Sequence, residues 1–258
     1  MRLWLEAQSI PVIALVVFGL SYLMAATAFL LARVAARLGW PHDFKHIPAM
    51  TLMPLAVLLA VLFGFLASRV WANHEHAENY VAQEASALHE IVLMAPAFPP
   101  DVQTRLHAAV RAHIKAMAEE EWPAMARGEK DVGQTPRVLT EATAMVLDLN
   151  PIRPGEQLAQ QRVVAALDQA LDARRNRIML SGELIDGVQW GVILVLMILI
   201  LTTVAMGNVE SPRASAIAMF IVATASAASL VLLLAYDQPL NAGGFFVQPT
   251  LLRDVFTD

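Results

Sequence analysis

Cysteine is absent from the 258 residues. That excludes disulfides, thiolate metal centres and cysteine nucleophiles, and it leaves the compartment open. Charge is scarce too. Asp, Glu, Lys and Arg make up 16% of the chain, where soluble domains carry about a quarter. The charge that exists is acidic on balance, net -5 with a pI near 5.8, which argues against nucleic acid as a partner. There is no strand-like alternation, no internal repeat and no glycine-rich phosphate loop. Ser, His and Asp occur, but nothing resembles a nucleophile elbow or a His-Glu-x-x-His zinc site. No enzyme activity and no cofactor is expected.

What the chain has in abundance is apolar sequence, 57% of residues with a mean hydropathy of +0.53. A bilayer core of about 30 Å needs roughly 20 apolar residues in a helix. Four stretches meet that length: about Ile10 to Leu38, Met50 to Ser68, Gly187 to Gly207, and Ala214 to Tyr236. Helices are the expected form, because isolated strands in lipid leave backbone groups unpaired. The first stretch has a weakly basic start, with Arg2 near Glu6, and exceeds the apolar core of a signal peptide. It reads as a retained anchor. The fold expected is therefore all-α: residues 1–70 a first transmembrane hairpin, 71–186 an extramembrane helical segment, 187–236 a second hairpin, and 237–258 a tail.

The extramembrane segment has helical periodicity. Ala77, Val81, Ala85, Leu88 and Val92 recur at spacings of three and four, with Glu75, Glu78 and Glu90 between them. No breaker separates this stretch from the second span, so one long helix is expected. Ala95 to Asp101 stops it, with Asp101 as a cap for the next helix. That helix is expected over about Val102 to Met125, on a seam of Leu106, Val110, Ile114 and Met117. Two more follow, about Arg137 to Leu149 and about Gln157 to Ile185. Residues 71–186 hold eleven Lys and Arg against seventeen Asp and Glu, a local charge of -6. The acidity of the protein sits here.

The densest polar cluster is Asn73 to Tyr80, just past the second span. His74 and Glu78 stand i,i+4 on one helix face, a spacing that holds a divalent metal or senses protons when further ligands converge. No third ligand is identifiable, and a solvated first turn beyond the membrane is the plainer reading. No metal is expected elsewhere. His42 and His46 repeat the spacing in a proline-bounded turn, as interfacial anchors. His89, His107 and His113 stand alone as surface or satisfied bundle residues, and Glu119 to Glu121 read as a solvated acidic face. The spans contain no buried acid or base, which weighs against a proton-coupled transporter. Ser215, Thr224, Ser226 and Ser229 lie among alanines in the fourth span, a pattern for close helix packing or, less simply, a wetted pore wall.

Basic residues do not settle the orientation. Arg33, Arg37, Lys45 and Arg213 lie by the hairpin turns, and Arg69, Arg174, Arg175 and Arg177 on the other side. Weighting the first helix puts the acidic segment outside the cell.

Two spans, a long helical segment and two more spans form one pattern. The second span passes through Gly64 to Leu88 into an acidic helix, Ala173 to Ile178 precedes the third span, and Tyr236 to Pro249 follows the fourth. Together these resemble the bestrophin-like family of bacterial membrane proteins. The resemblance implies a multi-pass protein of the bacterial inner membrane, a homo-oligomer, pentameric in true bestrophins, and an ion channel. It implies a second span lining the neck, with Leu62, Phe63, Leu66 and Val70 near it, and intervening helices in the cytoplasm. The acidic calcium clasp of the animal channels is not found here, and their aromatic stretch is reduced to Trp71. The partners implied are the bilayer, further copies of the chain and permeant ions. The acidic segment suggests a preference for cations. The rival class is a non-conducting sensor or scaffold whose helical segment binds a partner.

Overall fold

A computed structural model describes residues 10–39, 47–126, 137–181, 185–208, 211–237 and 254–256. His42, His46 and Lys45, the loop before Arg137 and most of the tail lie outside them. Among the described residues the regular structure is entirely helical. The long helices are α1 (Ile10–Arg37), α2 (Ile47–Met94), α3 (Pro100–Ala116), α4 (Trp122–Ala126), α5 (Arg137–Leu147), α6 (Pro154–Ser181), α7 (Gly187–Gly207) and α8 (Pro212–Tyr236). Four of them are long and apolar enough to cross a membrane: α1, α2, α7 and α8. The chain divides into two compact units, Met1–Ala72 with Leu184–Asp237, and Asn73–Glu183 with Gln238–Asp258.

The first unit gathers the four spans. Small residues recur on the buried faces: Ser21, Ala25 and Ala28 of α1, and Ser215, Ala223, Ser226 and Ala227 of α8. With little hydrophobic drive between helices in lipid, close backbone approach through small residues supplies the packing. Tyr22 fixes the register. Its hydroxyl donates to Thr224 Oγ1 at 3.0 Å, while Thr224 donates to the Phe220 carbonyl at 2.7 Å. Its ring stacks on Phe220, 5.5 Å between centroids. Gly39, at φ 80°, ends α1 in the left-handed conformation open to glycine. At the other side of the unit, buried Asp237 accepts the Ile185 N–H at 3.0 Å, tying the entry of α7 to the exit of α8.

The second unit is a helical bundle around a core of Val81, Leu88, Ile91, Leu106, Val110, Met117, Leu139, Val163 and Leu167. The uninterrupted α2 agrees with the absence of a breaker beyond Ser68, and it also carries Pro54 in its second turn. Asp101 sits inside the first turn of α3, not at its cap, where a carboxylate still complements the helix dipole. Helix α6 starts at Pro154, a residue suited to the first helical turn, and Glu156 accepts the N–H groups of Ile152 and Arg153 at 3.3 and 3.4 Å. Gln160 donates to the carbonyls of Val146 and Leu149, closing the end of α5. Between α3 and α4 lies one π-helical turn, Met117–Glu121, in which the Trp122 N–H reaches back to the Met117 carbonyl. Pro123 is the physical reason: it lacks an N–H and crowds the preceding turn, and a widened turn relieves both faults.

Candidate functional site

Two features stand out, the exposed face of α2 and a buried ionic cluster in the second unit.

Along α2, exposed residues recur at alternating spacings of four and three: Val57, Val61, Gly64, Ser68, Trp71, Glu75 and Glu78. Taken at about 100° per residue, these seven fall on one stripe. A 3.5-residue repeat is the geometry of helices lying side by side. The stripe changes chemistry along its length, from two valines through glycine and serine to tryptophan and then two carboxylates. Phe65, 66% exposed, flanks it. The residues expected near a neck differ in exposure in the single chain. Leu66 and Val70 are buried in the apolar cluster of the first unit, and Leu62 and Phe63 are half-buried against it. A side chain with no surface in the single chain has none to offer a pore. The second span is apolar all round, so its sequence alone does not distinguish the face packed inside from the face turned outward.

His74 Nε2 lies 3.7 Å from Glu78 Oε1, with Glu78 well exposed. Among the described residues no three His, Cys, Asp or Glu side chains are placed to share a metal ion. The pair is an i,i+4 contact between a half-buried histidine and an exposed carboxylate.

The buried cluster draws on α2, α3, the π turn and α6. Glu84 comes from α2, His113 from α3, Glu121 from the π turn, and Arg174 and Arg177 from α6; all five are buried. Arg177 Nε donates to Glu84 Oε2 at 2.9 Å and its Nη2 to Glu84 Oε1 at 3.3 Å, a two-pronged contact. The same Nη2 donates to Glu121 Oε2 at 3.0 Å, and Arg174 Nε to Glu121 Oε1 at 2.7 Å. His113 Nε2 lies 2.8 Å from Glu84 Oε1. The guanidinium of Arg177 sits 5.4 Å above the Trp122 ring and donates its Nη1 to Met125 Sδ at 3.5 Å. Two carboxylates thus meet two guanidiniums, and the charges balance.

Burial pushes the Glu84 carboxyl up, but Arg177 and His113 more than offset it and hold Glu84 below the usual carboxylate range. Burial likewise lowers Arg177, and Glu84 and Glu121 overcome that and raise it. With Glu84 ionised, the proton in the contact to His113 belongs to Nε2, so Nε2 donates. His113 Nδ1 is buried with no partner among the described residues.

These placements correct two sequence expectations and resolve a third. Glu121 is not part of a solvated face; only Glu119 and Glu120 of that run are exposed. His113, His89 and His107 take the bundle alternative: His113 joins the buried cluster, His89 Nδ1 donates to the Val255 carbonyl at 3.0 Å, and His107 meets the Phe256 ring edge-on. Arg174 and Arg177, read as flanking the membrane, are interior residues of the second unit.

A family model for the Bestrophin-like domain matches residues 19–252. The chain belongs to the bestrophin-like family. No curated protein matches it. Among solved structures, this bestrophin-like chain is similar to point variants of a bacterial bestrophin homologue from Klebsiella pneumoniae. One is 15% identical with a TM-score of 0.69, covering 94% of this chain and 97% of the other. A second is 12% identical with a TM-score of 0.71, covering 94% and 96%. A structure described only as a membrane protein is 12% identical with a TM-score of 0.65, covering 94% of each. At such identity the likeness is one of fold.

The cluster was readable in part. Glu84 falls on the apolar seam between Val81 and Leu88, and Arg174 and Arg177 continue the seam of Val163, Leu167 and Ala170. Acids and bases at core positions of facing helices signal buried pairing. Pro123, two residues after Glu121, was the sign that this acid does not keep the regular helical face.

Proposed function

We propose that this protein is a homo-oligomeric ion channel of the bacterial inner membrane, its pore walled by the exposed stripe of α2 and its preference for cations. The observation that carries the reading is that stripe: seven exposed residues at a 3.5-residue repeat on one helix, apolar at one end and acidic at the other. Val57 and Val61, with Phe65 beside them, make the narrow apolar ring, where water and ions pass only if the radius allows. Leu66 and Val70, buried in the single chain, are assigned to the packed interior behind that ring. Glu75 and Glu78 then form carboxylate rings that concentrate cations and deplete anions. Their reach is a Debye length of about 8 Å at physiological salt, so the bias is strong only where the ring is narrow. The second unit lies in the cytoplasm in this reading, and the ring holds about five copies, as the family relationship suggests.

Purified protein in planar bilayers under a KCl gradient tests it. The expected reversal potential lies toward the potassium equilibrium value, and E75Q/E78Q moves it toward zero. Anion-selective current keeps the channel and discards the account of its charge. Silence from intact oligomers, or monomers and dimers in detergent, replaces the channel by a non-conducting sensor or scaffold.

A further inference from the structure

Glu84 stands on the opposite side of α2 from the acidic end of the stripe. At about 100° per residue, Glu75 lies roughly 180° round the helix from Glu84 and about 13 Å along it. Both belong to the same compact unit. Whatever fixes the direction of Glu84 therefore fixes the direction of Glu75.

The other buried residues of this stretch of α2 are Ala77, Val81, Ala85, Ala87, Leu88 and Ile91. Apolar packing holds a helix in place, but it is non-directional, and it tolerates a turn of the helix that exchanges one small aliphatic contact for another. A two-pronged guanidinium–carboxylate contact does not. It is planar and short, and both hydrogen bonds are lost together on rotation. Arg177 is itself immobilised by Glu121, by the Trp122 face and by Met125 Sδ. His113 holds the second edge of Glu84. The cluster thus gives α2 a single angular setting.

We propose that Arg177 is a positioning residue of the conduction path: its grip on Glu84 sets the rotation of α2 about its own axis and so turns Glu75 and Glu78 toward the axis of the ring. This rests on the channel reading above, and the experiment separates the two. Because the chain has no cysteine, a single cysteine replacing Glu75 takes one spin label per subunit of the full-length oligomer in lipid. Pulsed electron resonance then reads the distances between subunits.

In the otherwise native chain the distribution is expected to be narrow. Arg177→Lys keeps the charge but loses the planar fork, and Glu84→Gln keeps the shape but loses the charge. Both are expected to broaden or shift the distribution. With Glu75 intact, both should also cut the cation-over-anion selectivity while the oligomer elutes unchanged. A purely structural role moves stability and leaves selectivity alone. Unchanged narrow distances in both variants, with intact oligomers, overturn the proposal. So does failure of both variants to assemble, since a cluster on which the fold itself depends is a core element and not a setting for one helix. Broadened distances in a protein that carries no current keep the hold of Arg177 on α2 and remove the channel.

Discussion

Replacing Arg177 by Met tests the cluster at its centre. The native group sets two guanidiniums against two carboxylates, with His113 beside them. Removing one guanidinium takes three charge-assisted hydrogen bonds away, two from Glu84 and one from Glu121. Glu121 keeps Arg174, and Glu84 keeps only His113. The side chain of Glu84 has no exposed surface, so water does not replace what is lost. Breaking a buried pair in this way costs about 3–5 kcal/mol, against a total domain stability of roughly 5–15 kcal/mol. The double change R177M/E84M removes both charges and is expected to restore most of the loss, because apolar replacements of buried pairs are often neutral.

The pH dependence gives the sharper discrimination. In the native protein Glu84 is held below its ordinary range. Its contribution is therefore complete above the unfolded carboxylate value of about 4.3 and is lost as pH falls through the lower folded value. In R177M burial, the largest influence on this carboxyl, loses its main opponent, and the folded pKa rises above the unfolded one. The sign then reverses: stability is full below about pH 4.3 and falls as pH climbs through the raised value. Hydrogen exchange on α2 and α6 of the purified oligomer, followed between about pH 7 and pH 5, reads both effects. The expected result is a flat native profile and a variant that regains protection on acidification. A variant as protected as the native protein at pH 7, or one that loses protection on acidification, refutes the reasoning.

Two neighbours on α2 are expected to separate core from pore. Leu66→Ala should lower thermal stability by about 2–5 kcal/mol through the cavity it leaves and spare conductance, whereas Phe65→Ala should change conductance and spare stability. At the small-residue face of the first unit, Ala223→Leu is expected to cost about 1–3 kcal/mol by overpacking, read as a lower melting temperature in detergent; an unchanged melting temperature would show that the buried alanine face tolerates bulk.

The architecture was legible because its signals are long and redundant. Twenty-residue apolar runs, a missing breaker between Ser68 and Leu93, and proline-rich stops at Pro96 and Pro99 each act within one helix. The faces were less so. Which side of α2 packs inward is decided by other helices, and a span such as Leu55 to Leu66, apolar on every side, records no choice. The acidic cluster failed for a related reason. A run such as Glu119 to Glu121 looks uniform until the turn at Pro123 sends the last carboxylate inward. Glu84 and Arg177 are 93 positions apart, so their pairing belongs to tertiary structure even though each residue betrays itself as a charge on an apolar seam.

Residues 71–186 carry six more acids than bases, and in the proposed ring that excess is multiplied, so every exposed carboxylate would repel its counterparts across the axis. Helices that converge on such a ring need a restoring force that repulsion does not defeat. Exposed pairs such as Arg175–Asp172 or Lys115–Glu119 are screened and weak. The buried cluster is not screened, and its charges cancel within the subunit, so it adds nothing to the repulsion at the axis. A buried ion pair is poor value as stability alone. Its use here is direction: it holds the outward carboxylates of α2 at a fixed angle against the field those carboxylates create.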